Sequence, residues 1–117
     1  DPDYVTSYET RTDQALLYRL NGDRNPLHSD PSFAALGGFP KPILHGLCTY
    51  GFTGRGLVHL ACDGDPHAFK SMDGRFSSPV MPGETLTIHV WEDQGTFKFR
   101  TFAGDRIVLD NGIMTTR

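Results

Sequence analysis

Cysteine is scarce: Cys48 and Cys62 are the only two, too few for a disulfide framework or a zinc site. Long apolar runs are missing. No stretch approaches the roughly 20 residues that span a bilayer, so no membrane partner is expected. There is no surplus of positive charge; the formal net charge is −3. Nucleic-acid binders ordinarily present a basic face, so no nucleic-acid partner is expected either. No glycine-rich phosphate loop of the Walker or dinucleotide type is present. His59, His67 and His89 lack metal-ligand spacing, and no metal is expected. No repeat, low-complexity segment or linker divides the chain. Asp1-Pro2 opens it without a signal-peptide pattern, and Thr116-Arg117 closes it without a peroxisomal tripeptide. Because residue 1 is not Met, the expectation is a processed or excised piece of a longer protein.

What is there fits one domain over residues 1–117. A chain of this size buries somewhat under about 70% of its unfolded surface, enough for one core. The hydrophobic fraction is only 38%, which points to a partner that completes the packing.

The two halves differ in texture. Residues 12–62 read as helices and loops and residues 68–117 as strands, an α+β arrangement rather than a wound βαβ one. Tyr4 to Tyr8 is rich in strand formers. Thr12 or Asp13 can cap a helix carrying Ala15, Leu16, Leu17 and Leu20, stopped by Asn21-Gly22-Asp23. Asp30 and Pro31 start a second helix that Gly37-Gly38 ends. The stretch 46–62 is apolar or small on nearly every side, as in a buried helix. Gly46, Gly51, Gly54 and Gly56 oppose helix formation at about 1 kcal/mol each relative to Ala, so other backbone or a ligand is expected to approach closely. Strands are expected over Phe69–Val80, Glu84–Glu92, Thr96–Ala103 and Arg106–Met114. Turns at Pro82-Gly83, Asp93-Gln94-Gly95 and Gly104-Asp105 give consecutive hairpins, and thus an antiparallel sheet around a glycine-rich helix.

Chemistry concentrates in Tyr18–His28. Asn21-Gly22-Asp23 and Asn25-Pro26 favour irregular backbone. A loop can aim Asp23 and His28 at one point, and a carboxylate and an imidazole on one water form an acid/base pair. Taken singly, an Asp in such a turn ordinarily forms an Asx turn, and a lone His ordinarily packs or faces solvent.

Tyr-Arg-Leu-Asn-Gly-Asp-Arg-Asn-Pro-Leu-His-Ser-Asp-Pro-Ser-Phe-Ala resembles the hydratase 2 motif of the MaoC-like family of (R)-specific enoyl-CoA hydratases. The likeness continues through Gly38–Phe52 and returns at Arg75–Leu86. It is most similar to the C-terminal half of the two-repeat hydratases of peroxisomal multifunctional-enzyme type. The resemblance implies a hot-dog fold, with Asp23 and His28 as catalytic pair and Asn25 supporting the site. It also implies that the Gly46 N–H faces the thioester carbonyl. That last role makes physical sense, since a helix start offers an unpaired amide and a favourable dipole. His45 and Arg75 join Asn25 as expected substrate-binding residues, although a loop-positioning role for His45 is favoured over chemistry.

Arg24, Lys41, Lys70 and Arg75 are candidates for coenzyme A phosphates, against the ordinary role of solvated charges. Cys48 and Cys62 are expected as buried free thiols. The resemblance implies reversible hydration of trans-2-enoyl-CoA to (3R)-3-hydroxyacyl-CoA, with no cofactor beyond the CoA thioester itself. The alternatives are dehydration of 3-hydroxyacyl groups on acyl carrier protein, or a non-catalytic hot-dog subunit. The expected partners are acyl-CoA and a second hot-dog unit, either an identical chain or the other half of a double hot-dog. The expected compartment is the cytoplasm in a bacterium or the peroxisome in a eukaryote.

Overall fold

A computed structural model describes all 117 residues. β1 spans Tyr4–Glu9, α1 Gln14–Arg19, α2 Pro31–Leu36 and α3 Gly46–Ala61. β2 follows at Phe69–Phe76, then β3 at Thr85–Asp93, β4 at Thr96–Ala103 and β5 at Arg106–Thr116. Short 3₁₀ turns occupy Pro26–His28 and Pro66–Ala68. The five strands form one antiparallel sheet in the order β1-β3-β4-β5-β2. No helix is long and apolar enough to cross a membrane.

β3, β4 and β5 alternate because their sequences do. In β3, Leu86, Ile88 and Val90 are buried toward the helix; in β4, Phe97, Phe99, Thr101 and Ala103 do the same. The β3–β4 loop is Gln94-Gly95, both at positive φ, as a tight hairpin demands.

One expected connection fails. Pro82-Gly83 does turn, with Gly83 at φ +97, but it does not join neighbouring strands. β2 lies at the far edge, paired with β5, while β3 pairs with β1 and β4. β2 also stops at Phe76 rather than reaching Val80. Pro79 has no N–H to give a ladder, and the chain peels away. Ser77 N–H still reaches the Val108 carbonyl (3.1 Å), and the Val80 carbonyl then accepts Leu44 N–H (2.8 Å) beside the start of α3. β3 is shifted one residue from expectation, and β5 runs two residues longer.

Local caps follow the sequence unevenly. Asp30 caps α2 by accepting Ser32 N–H at 2.9 Å, with Pro31 in the first turn. Asp13 precedes α1 but caps nothing, because Arg11 holds its carboxylate at 2.7 Å.

α3 lies in the concave side of the sheet, which makes this a hot-dog fold. The helix is not buried all round. Cys48, Thr49, Thr53, Gly56 and Leu57 face the sheet, while Leu47, Gly51, Arg55 and His59 form an exposed stripe at four-residue spacing. The glycines therefore differ in purpose. A Cβ on Gly56 would lie 3.0 Å from Ile88 and 3.1 Å from Thr6, so Gly56 lets helix and sheet approach closely. A Cβ on Gly46 would lie 3.2 Å from the Phe76 ring, one on Gly54 would make only ordinary contact with Met72, and one on Gly51 would meet open space. Close approach thus accounts for Gly46 and Gly56 but not for Gly51. A buried polar link joins the two layers: Thr53 Oγ1 donates to the Thr49 carbonyl (3.1 Å) and accepts the Thr101 hydroxyl (2.7 Å).

The core has two parts. One, around Leu57, Ile88, Phe99 and Met114, fills the far end of α3. The other, around Ala15, Leu44, Cys48, Val80 and Val108, lies beneath the helix start. Cys48 and Cys62 are free and buried in different clusters. Burial pushes both thiols above their usual pKa, consistent with inert packing groups.

Gly112 of β5 faces Phe99, and a Cβ there would lie 2.5 Å from the ring. Phe99 is 2% exposed and has little room to yield. Gly112→Ala is therefore expected to destabilise by about 1–3 kcal/mol through overpacking, read as a lower urea midpoint with unchanged slope.

Candidate active site

The loop before α2 is built by turn chemistry. Gly22 takes φ +110. Asp23 Oδ1 accepts Asn25 N–H at 3.2 Å, closing an Asx turn. Asn25 Oδ1 in turn accepts Leu27 N–H at 3.0 Å and caps the Pro26–His28 turn, with Pro26 at its start. Asp23 thus plays the ordinary structural role with one oxygen and keeps the other free. Asn25 thus uses its Oδ1 as a cap, and its exposed side-chain NH2 keeps both donors free.

His28 ends that turn. Its Nδ1 lies 2.8 Å from the Ile43 carbonyl. A carbonyl can only accept, so Nδ1 carries the hydrogen, and in the neutral ring Nε2 holds a lone pair. Ile43 N–H donates back to the Leu27 carbonyl at 3.3 Å, so Ile43 clasps the turn from both sides.

His45 sits behind this pair. It is 1% exposed, against 51% for the Asp23 side chain. Its ring stacks on His28 at 3.9 Å and packs against Tyr18 at 4.6 Å. Its Nε2 lies 3.2 Å from the main-chain carbonyl of Asp23 and 4.0 Å from Asp23 Oδ2. Its Nδ1 is buried with no partner. His45 does not line a cavity, so direct substrate contact, expected from the sequence, is not what the structure provides.

One nitrogen or oxygen from each of Asp23, His28 and His45 lies within 4.8 Å of the others. A single water bridges groups up to about 5.5 Å apart, so Asp23 and His28 can share one. The three groups also have the spread of a metal-ligand set. With its Nε2–H committed to a carbonyl, His45 has only its buried Nδ1 lone pair left to offer a metal.

Gly46 is the first residue of α3, so its N–H has no acceptor within the helix. His28 and Gly46 line one cavity of about 400 Å³ with Phe39, Ile43, Leu44, Thr49, Phe76, Val80 and Val108. Asp23 stands outside that lining, with its side chain half exposed. His28 also borders a smaller cavity of about 230 Å³ with Thr12, Leu16, Lys41 and Pro42. Arg75 is exposed on β2 opposite Asp110, and its neighbour Phe76 lines the larger cavity in its place. Arg24 and Lys70 are exposed and line neither. His59 and His67 are exposed, and His89 packs against Phe102 at 4.7 Å, far from the site.

Sequence reasoning missed Ile43 and Phe76. Ile43 acts through its main chain, which leaves no side-chain signal. Phe76 was readable only as part of a strand.

A sheet wrapped on a helix, with Asp and His a water's width apart beside a free helix-start amide, defines a hot-dog protein equipped for acid/base chemistry. The MaoC like domain model matches residues 1–109, and the chain belongs to that family. It is 55% identical over 119 residues to the 3-hydroxyacyl-thioester dehydratase Y of Mycobacterium tuberculosis, covering 95% of this chain and 41% of that protein. It is 58% identical over 87 residues to the peroxisomal enoyl-CoA hydratase 2 of Arabidopsis thaliana, covering 74% of this chain and 28% of that protein. The structure of full-length peroxisomal multifunctional enzyme type 2 from Drosophila melanogaster superposes with a TM-score of 0.95 at 44% identity, covering 100% of this chain and 22% of that one. The chain thus spans less than half the length of these relatives.

Burial lowers the His45 pKa below the ordinary 6.5, and His28 pushes the same way; the bond to the Asp23 carbonyl and the Asp23 charge oppose this without cancelling it. The unfolded chain therefore takes up a proton here at higher pH than the folded one. Stability from this group is full above about pH 6.5 and is lost as pH falls toward and through the folded value. Urea midpoints are expected to decline across that window, and less so in His45→Gln, which has nothing to titrate.

Proposed function

We propose that the chain carries the catalytic unit of an (R)-specific enoyl-CoA hydratase. The reaction is reversible addition of water to a trans-2-enoyl-CoA, giving a (3R)-3-hydroxyacyl-CoA. One observation carries this reading: His28, with Nε2 free, and the unpaired Gly46 amide line one apolar cavity, while the Asp23 carboxylate lies within one water of His28. The names of the relatives agree, since dehydratase and hydratase describe two directions of one equilibrium.

In this mechanism Asp23 and His28 hold one water and remove its proton. The oxygen attacks C3 of the enoyl thioester, and electrons move to the thioester oxygen. That enolate oxygen accepts the Gly46 N–H, favoured by the helix dipole. The proton taken from water returns to C2 from the same side, and the addition is syn. The thioester is itself the electron sink, so the chemistry calls for no metal or redox group. The acyl chain occupies the cavity beneath Phe76, and Lys41, which lines the smaller cavity with His28, is a cation for the CoA arm. Arg75, exposed on β2 next to Phe76, is a second cation for the CoA phosphates.

The same site would serve a 3-hydroxyacyl group on a carrier protein. The name of the Arabidopsis relative favours coenzyme A, and parallel assays with the two thioesters separate the readings.

The second hot-dog unit belongs to the same proposal. Leu47 on the free stripe of α3 is 64% exposed, and Leu16, Leu17 and Leu20 are 56%, 49% and 82% exposed. A surface this apolar is what a partner covers. β1 and β2 also leave one edge each without a neighbour. The partner is a second copy or an equivalent hot-dog repeat, and it closes the open side of Asp23.

Asp23→Asn and His28→Ala are each expected to lose about 10²- to 10⁴-fold in turnover of crotonyl-CoA, followed by ultraviolet absorbance, while circular dichroism stays unchanged. Because the pair handles one water, the double variant is expected to be little worse than either single one. Near wild-type turnover in either would end the assignment. Light scattering at micromolar concentration is expected to give twice the chain mass. A monomer fully active on long-chain substrates would remove the need for a second unit.

A further inference from the structure

We infer that His45 is the positioning residue of this site: its Nε2–H holds the Asp23 main chain while its ring face holds His28, so one buried side chain sets the separation of the pair. The inference rests on the hydratase reading and adds a function for a group which that mechanism does not use.

The geometry is specific. The Asp23 carbonyl accepts from His45 Nε2 at 3.2 Å, a contact 22 residues apart in sequence. His28 lies against the ring at 3.9 Å with planes 25° apart, and Tyr18 packs on it at 4.6 Å with planes 41° apart. The ring cannot turn over without cost, because a flip would break the bond to Asp23 and leave that carbonyl unpaired. The His45 carbonyl also accepts Cys48 N–H (3.1 Å) and Thr49 N–H (3.3 Å), which starts α3 and aims the Gly46 amide. A single residue therefore joins the Asp23 loop, the His28 ring and the helix start.

The Asp23 carbonyl can only accept, so the form of the ring that does this carries a hydrogen on Nε2, while Nδ1 is buried without a partner. A hydrogen on Nε2 leaves Nδ1 as a buried lone pair with no protein donor, costly but uncharged. A hydrogen on both would place a cation against His28, the ring that takes up a proton during the reaction. The neutral Nε2–H form is the one that lets His28 accept that proton.

The test uses the full chain and crotonyl-CoA. His45→Phe keeps a flat ring and loses the donor. His45→Gln loses the ring and keeps a donor at the reach of Nε2. His45→Phe is expected to lower kcat at least about tenfold with KM within about twofold, because the cavity lining is untouched; such losses are usual when reacting groups are misplaced. His45→Gln is expected to recover a clear part of that loss. A His45→Phe protein with wild-type kcat would overturn the inference, as would a Gln variant no better than Phe. Where a variant does not fold, the ¹⁵N spectrum of the wild-type imidazoles decides: the Nε2–H tautomer at pH 7 supports the assignment and the Nδ1–H tautomer overturns it. Wild-type protein inactive on any enoyl-CoA would remove the hydratase reading, while the tautomer would still report separately on His45.

Discussion

The site depends on a strap two residues long. Ile43 binds the Pro26–His28 turn in both directions, giving its N–H to Leu27 and its carbonyl to His28 Nδ1. Leu44 N–H then binds the Val80 carbonyl, which follows β2 across the sheet. The strap therefore joins the loop that carries Asp23 and His28 to the sheet that carries the cavity wall. It does so with main-chain groups, whose directions are set by the peptide plane and do not wander as side chains do.

That strap leads directly into α3, and the helix start is where packing and chemistry meet. Leu44 is buried in the core cluster beneath it and His45 is buried beside it, so the first turn cannot shift without opening the core. Gly46 follows at the only point where the amide must stay uncovered. A side chain there would press on Phe76, which is 52% exposed and roofs the same cavity. Farther along, Gly56 serves a different end, letting the helix settle on Ile88 and Thr6. Two glycines in one helix thus answer two distances, one to a ligand space and one to a sheet.

The open side of the molecule has the opposite character. The leucines of α1 and the stripe led by Leu47 are exposed, and the Asp23 carboxylate is half exposed. A carboxylate in bulk water is well solvated and gains little from a nearby base. Covering that face would raise the strength of every electrostatic contact in the pair. Relatives more than twice the length of this chain have the material to do so within one polypeptide.

Much of this was written in local sequence. Asn21-Gly22-Asp23 and Asn25-Pro26 determined the Asx turn and the capped 3₁₀ turn, because side chains two residues from their acceptors need no help from the rest of the fold. Asp30-Pro31 started α2, and the alternation of β3 to β5 chose their buried face, for the same reason of short range. The pairing of Asp23 with His28 was also legible, since five residues of constrained loop can bring them together. Tertiary structure decided the rest. It carried β2 to the far edge of the sheet, made Asp13 an ion-pair partner rather than a cap, and gave Asn25 to the turn. It turned His45 inward and put Phe76, not Arg75, at the cavity. The placing of the two imidazoles depends on main-chain acceptors at Ile43 and Asp23 that lie 15 and 22 residues from the rings they bind. A carbonyl is the same group in every residue, so no pattern of residue types marks the two that matter until the chain has folded around them.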